Sequence, residues 1–264
     1  MTTDWSRGHN TKAYCGPQSI LTQARHHSAA ITVPGVMSGE GVCLVVGGGP
    51  GIGYSVARRW AGAGHQVVVT RRGGVTQQEM ERDCGPGVRA VTADVTDQAR
   101  MAEVVAEVEA EHGLITTLIY NAGSGVWKNY EKLSVAELER SFAVNTSGLL
   151  IAAKLVAPKM VAAGGGVIGI TGATAALRGK PFTAGFAPAK AAQRMLAQSL
   201  ARELGPQRVH VFYAIIDGGV RAGAEEGGKQ MDPEHIAATY WSLAHQPSSA
   251  WTHEVDMRPF CENW

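Results

Sequence analysis

Two groups of side chains in this sequence have the types and spacing to hold a charged ligand. The first is Gly47-Gly48-Gly49-Pro50-Gly51-Ile52-Gly53, in which Gly47, Gly51 and Gly53 keep the spacing G-x-x-x-G-x-G. A tight turn without side chains lets backbone N–H groups and a positive helix terminus meet a pyrophosphate. Gly49 and Ile52 belong to the same expected contact surface. The second group is Arg71-Arg72, which follows an apolar run. An acid there would accept from the 2′-hydroxyl of an NAD ribose. Two guanidiniums instead suit a 2′-phosphate, so the expected cofactor is NADP(H). Glycine-rich turns also serve ordinary loops, and twin arginines also decorate solvated turns. The glycine turn becomes specific because it joins a strand to a helix in the first βαβ unit.

The elements that must carry these groups follow from the apolar pattern. Val42 to Val46, Gln66 to Thr70, Val88 to Thr92, Ile115 to Tyr120, Val167 to Ile170 and Val209 to Ile216 read as strands. Helical segments lie between them. One has Ile52, Val56, Ala57 and Trp60 on one face; another has Met101, Val104, Val105 and Val108 and stops at Gly113. Ser134 with Glu137 is a capping-box signature opening a long helix. Lys190 to Leu204 is helical and stops at Gly205-Pro206. Continuous apolar strands separated by helices predict an α/β fold. The expectation is a single doubly wound Rossmann-type domain, its sheet mostly or wholly parallel, with helices on both faces.

Bulk properties narrow the function. The 264 residues carry a formal net charge of +1, which creates no field to attract nucleic acid or an anionic membrane. No stretch reads as a membrane span or a secretory signal. Cys15, Cys43, Cys84 and Cys261 are scattered, which predicts free thiols in a reducing cytoplasm and no metal site. Residues 1–36 are expected to form a disordered arm ahead of a domain over 37–264, with His26-His27 as solvated polar sequence.

From about residue 41 to 257 the sequence resembles the short-chain dehydrogenase/reductase family. Asp94-Val95 matches the family's adenine-contacting pair. Asn121-Ala122-Gly123 matches its Asn-Ala-Gly turn, although Tyr120 replaces a preceding Asn. Asn145, in Val144-Asn145-Thr146-Ser147-Gly148, matches the helix Asn of the active site, and Lys190 matches its Lys. Asp217-Gly218-Gly219-Val220 stands for the usual Pro-Gly-x-Val turn beside the nicotinamide, and Val46 stands where a Thr is common. The resemblance implies that Gly218, Val220 and Lys190 also contact the cofactor. It further implies a homodimer or homotetramer, joined through the helices that begin near Ser134 and Lys190, acting on a small-molecule substrate.

The same resemblance exposes a gap in the catalytic set. The family uses a Tyr four residues before the Lys as proton donor and a Ser thirteen residues before that Tyr to polarise the carbonyl. Here those positions hold Phe186 and Ala173, and Leu177-Arg178-Gly179 keeps the intervening loop at its common length. A positioned acid is worth ~10²- to 10⁴-fold, so ordinary ketone reduction should suffer accordingly. Three readings remain open. The substrate needs no proton from the protein, as with an imine, an iminium or an activated carbonyl, and Asp217 steadies the cation. Alternatively another group supplies the proton, with Thr171, Thr174, Tyr130 and Lys128 as candidates. The third reading is a non-catalytic NADP(H)-binding regulatory or scaffold protein. Residues 219–232 are expected to form a substrate lid or a surface loop. Trp127, Tyr240, Trp241 and Trp251 are candidates for stacking on substrate or for the core, and His253 reads as structural.

Overall fold

The apolar runs become strands because each is covered on two faces. In β1 (Val42–Val46) every residue is buried. Val42, Leu44 and Val46 point into one core, while Cys43 and Val45 point into the other. This period-two division of an unbroken apolar run is what a sheet between two helical layers requires. The computed structural model describes residues 41–225 and 227–262. The expected arm, 1–36, with Cys15 and His26-His27, lies outside the described residues.

The elements run β1, α1 (Ile52–Ala61), β2 (Gln66–Arg71), α2 (Gln77–Cys84), β3 (Val88–Thr92), α3 (Gln98–His112) and β4 (Ile115–Tyr120). Then follow α4 (Val135–Phe142), α5 (Gly148–Ala162), β5 (Gly166–Thr171), α6 (Ala187–Leu204) and β6 (Val209–Ile216). Short strands β7 (Gly219–Val220) and β8 (Gln230–Met231) precede α7 (Pro233–Ala244) and β9 (Glu254–Met257). Seven strands form one parallel sheet in the order β3-β2-β1-β4-β5-β6-β9. The chain winds outward from β1 to β3 and then restarts at β4 on the other side of β1. That reversal opens a crevice at the carboxyl ends of β1 and β4, where ligands bind in folds of this kind.

The doubly wound expectation is met, with two helices unforeseen. In α2 only Met80 and Cys84 are buried, but Thr76 and Glu79 form a complete capping box. In α7, Asp232 caps a helix that has Pro at its start, and Ile236, Ala237 and Tyr240 enter the core. Trp60 of α1 is fully buried and meets Trp241 of α7 edge-on, with ring centroids 5.0 Å apart.

Ser134 and Glu137 form the expected capping box at the start of α4. The helical path continues through one π turn, Ala143–Ser147, into α5. This run, Val135–Ala162, is long and apolar enough by length and composition to cross a membrane, yet half of the tested window is buried in the fold. Leu149, Ala152, Val156 and Met160 pack into the core there. Tyr120 explains its own presence at the end of β4: fully buried, it donates its hydroxyl to the Val144 carbonyl in the π turn. Gly148 makes room for it, since a Cβ there would stand 2.4 Å from the Tyr120 oxygen. Tyr120→Phe strands a buried carbonyl, so urea unfolding should show a loss of about 1–3 kcal/mol. An unchanged midpoint and slope would contradict this role for the hydroxyl.

Candidate active site

The glycine turn leaves the carboxyl end of β1 and is strapped to its neighbours. The N–H groups of Gly47 and Gly48 both donate to the Thr70 carbonyl of β2, at 3.1 and 2.8 Å. Asn121 Nδ2 donates to the Gly47 carbonyl at 2.8 Å, and Asn121 N to that of Val46 at 2.8 Å. Gly47 has φ 94°, and a Cβ on it would stand 2.3 Å from the Ala122 nitrogen, so only glycine fits. Gly51 has φ 134° and caps α1 with no side-chain hydrogen bond. The first N–H groups of α1 therefore have no capping side chain competing for them.

A cleft of about 260 Å³ lies over this turn. Gly47, Gly49, Ile52 and Gly53 line it together with Arg71, Arg72, Asp94, Val95 and the turn Asn121-Ala122-Gly123. Gly51, also expected on this surface, is not part of the lining. Arg71 donates to the Tyr54 hydroxyl at 2.7 Å, while its Nε is buried with no acceptor in the protein. A buried guanidinium N–H without an acceptor is costly, and a phosphate oxygen would satisfy it. Asp94 is held below the usual carboxylate range, first by the backbone N–H of Thr96, which it accepts at 2.9 Å. The charge set and the bare glycine cradle thus fit a phosphorylated dinucleotide. Tyr54, which steadies Arg71, was not foreseen; its place in the first turn of α1, beside the cradle, was the available signal.

A second cleft, of about 540 Å³, shares Ile52 and Gly123 with the first. Lys190, in the first turn of α6, is buried at its base. Its Nζ donates to the Thr171 carbonyl at 2.9 Å and to Gln193 Oε1 at 3.0 Å. Burial lowers this amine to about 7. The Phe186 ring lies with its centroid 5.8 Å from Nζ, and both Phe186 and Ala173 line the cleft. Trp127 and Phe182 extend the aromatic wall, with Trp127 5.1 Å from Phe186 and 6.0 Å from Phe182.

Asn145 sits in the π turn just behind Gly123. Its Nδ2 donates to the carbonyls of Ser141 and Ser124, at 2.9 and 3.1 Å, and its Oδ1 is buried without a partner. It lines neither cleft. Thr174 does line the reaction cleft, but its hydroxyl lies 2.5 Å from Asp217 Oδ1 and 3.3 Å from the Ile216 carbonyl. Asp217 is 6% exposed and faces two cations: Arg258 Nη1 stands 3.4 Å from Oδ2 and Arg178 Nη2 4.0 Å from Oδ1. Its charge is therefore already engaged, which weakens the expected role of steadying a substrate cation.

Gly218 lines the cleft, whereas Val220 packs on the core through β7 and reaches neither cleft. Two proposed proton sources are displaced. Tyr130 is 78% exposed and bonds Glu131, and Lys128 pairs with Glu137; neither lines the reaction cleft. Thr171 does line it, but its hydroxyl accepts from Tyr240 at 3.0 Å. Of the four aromatics expected near the substrate, Trp127 alone lines the cleft. Tyr240 is fully buried, Trp241 packs on Trp60, and Trp251 stacks on His210 at 4.8 Å. His253 is structural, its Nδ1 3.0 Å from the Val211 carbonyl. The expected lid is partly pinned, because β7 pairs with β8 across it. Glu262, from the C-terminal segment, supplies a wall that the sequence did not suggest.

Known proteins share this fold. Residues 41–231 match the model of the short chain dehydrogenase family. The chain is 30% identical over 224 residues to oxidoreductase asL5 of Sarocladium schorii, covering 79% of this chain and 90% of that one. It is 27% identical over 243 residues to the NADP-dependent 3-hydroxy acid dehydrogenase YdfG of Salmonella typhi, covering 84% of this chain and 96% of the relative. The crystal structure of a short-chain dehydrogenase from Rhodopseudomonas palustris superposes with a TM-score of 0.74 at 31% identity, covering 84% of this chain and 99% of that one. Sheet order, glycine cradle and family match agree: the chain belongs to the short-chain dehydrogenase family, whose members are oxidoreductases that bind NAD(P)(H).

Proposed function

We propose that this chain is an NADP(H)-dependent oxidoreductase whose small organic substrate accepts hydride without a proton from the protein: an imine or iminium, or an activated carbonyl. The observation that carries this reading is the make-up of the reaction cleft. Phe186 and Ala173, at the positions where the family resemblance expects an acid and a hydroxyl, line it beside Lys190. Two of the three threonine hydroxyls in the same cleft donate their protons within the protein. Thr171 accepts from Tyr240, Thr174 bonds Asp217, and Thr183 bonds the Lys180 backbone.

Arg71 and Arg72 support NADP(H) over NAD(H), and the NADP dependence of the Salmonella relative points the same way. Bound across the two joined clefts, a reduced nicotinamide would supply the hydride. Lys190 would hold the nicotinamide ribose, and Asn145 would fix the Gly123 turn between the clefts. The aromatic wall of Trp127, Phe182 and Phe186 would exclude water and favour a cationic carbon through its ring faces. A homodimer or homotetramer in the cytoplasm completes the proposal. Leu150 on α5 is 42% exposed and Met195 on α6 50% exposed, apolar surface that an interface would cover.

The test is NADPH oxidation over simple ketones, activated carbonyls, cyclic imines and N-alkyl iminium ions. Imines or iminium ions should turn over at least ~10²-fold faster than simple ketones. Ketone turnover with imines inert would overturn the substrate proposal. Tight NADPH binding with no turnover on any substrate would favour the non-catalytic binding module.

A further inference from the structure

We infer that Gln193 is a positioning residue, tying the Lys190 amine to the main chain of Asn145 so that one N–H remains for the nicotinamide end of the dinucleotide. The inference rests on the dinucleotide reading above. Gln193 stands three residues after Lys190 on α6, a spacing that puts both side chains on one helix face. It is fully buried. Its Oε1 accepts from Lys190 Nζ at 3.0 Å, and its Nε2 donates to the Asn145 carbonyl at 2.8 Å. The Tyr213 hydroxyl of β6 lies 3.4 Å from the same Oε1.

These partners fix the amide's orientation. Turned over, it would set an NH₂ against the amine and an oxygen against a carbonyl, two repulsive contacts. A buried amide is costly unless both ends are bonded, and an apolar side chain would fill the same space without that demand. Gln193 is thus tied to the two groups it joins.

In its charged form the amine has three N–H bonds. The Thr171 carbonyl and Gln193 take two of them. The third is left for the cleft beside Gly123, where a Cβ would stand 3.9 Å from Nζ. Among the described residues no carboxylate forms an ion pair with Lys190. Asp217, across the cleft, is engaged by Arg178 and Arg258. Tyr213 and Tyr240 approach from β6 and α7 with their hydroxyls pushed up by burial. Burial alone lowers the amine itself to about 7. The neutral oxygen of Gln193 is accordingly the side-chain acceptor that orients it.

The test compares two ligands on the full chain. NADPH reaches both clefts, whereas adenosine 2′,5′-bisphosphate carries the 2′-phosphate end and no nicotinamide ribose. Gln193→Met should weaken NADPH binding about 10-fold and leave the bisphosphate within about 2-fold, as loss of one aligned charge-assisted hydrogen bond would do. Gln193→Glu returns an acceptor to the amine but sets an oxygen against the Asn145 carbonyl, so it should recover only part of the NADPH affinity. Retained bisphosphate binding also shows that a variant has folded. Equal weakening of both ligands, or NADPH binding unchanged in Gln193→Met, would overturn the inference. Wild-type protein that bound neither ligand would overturn the dinucleotide reading, and this inference with it.

Discussion

Replacing Arg71 and Arg72 together by alanine should raise the NADPH dissociation constant by on the order of 10²- to 10³-fold, and that for NADH by only a few-fold. Hydrogen bonds to charged groups contribute about 1.5–3 kcal/mol each, and each 1.4 kcal/mol is tenfold in affinity. Two guanidiniums on a 2′-phosphate therefore account for at least about two decades, while the NADH ribose offers them only a hydroxyl. The structure sharpens the expectation for Arg71. Its Nε is buried without a protein acceptor, so the free protein gains little from that group and the ligand gains much. Tyr54→Phe, which removes the hydroxyl that Arg71 Nη1 reaches at 2.7 Å, should reproduce a smaller part of the effect. Isothermal titration of both variants and the wild type with both nucleotides decides the matter. Equal losses for NADPH and NADH would show that the arginines do not read the 2′-phosphate.

The double change Phe186→Tyr with Ala173→Ser should raise simple ketone reduction by ~10²- to 10⁴-fold, the range a positioned acid contributes. Both residues line the reaction cleft, and the Phe186 ring already stands beside the Lys190 amine, 5.8 Å from centroid to Nζ. A phenol there would share the cleft with a cation that favours its ionised form, the direction a proton donor near neutral pH needs. Phe186→Tyr alone should gain most of the rate, and Ala173→Ser alone little, because only the phenol supplies a proton. Reduction of an iminium ion should change far less under the same substitutions. Steady-state rates on a matched ketone and iminium pair test this. If the double variant leaves ketones untouched, the cleft's shape and not the missing hydroxyls limits the chemistry.

The sheet was legible because its central strands are buried on both faces: β1 is an unbroken apolar run, and β4 and β5 are mainly apolar and buried along their whole length. The glycine cradle was legible because local backbone geometry demands glycine at Gly47 and Gly51. Helix α2 was not, since only Met80 and Cys84 of its eight residues are buried and its periodicity is faint. Helix α7 hid its start in the Asp232-Pro233 pair, which resembles a loop end as much as a helix cap.

At the site, the residues that touch along the chain were readable, and those brought together by folding were not. Asp217 reads as an available acid in the sequence because Arg178 and Arg258 are distant along the chain and meet it only in the fold. Tyr130 and Lys128 follow the Asn121 turn in sequence, but neither reaches the cleft lining. Gln193 looked like any polar residue on a helix. Its burial against the π turn depends on Tyr120, Gly148 and β6 meeting there, which no local pattern records.

The most direct test of the account is a fluorescence titration of the purified chain with NADPH and, separately, NADH. The expected result is saturable binding of both, with NADPH tighter by at least tenfold and displaceable by adenosine 2′,5′-bisphosphate. No measurable affinity for NADPH, or a preference for NADH, would contradict it.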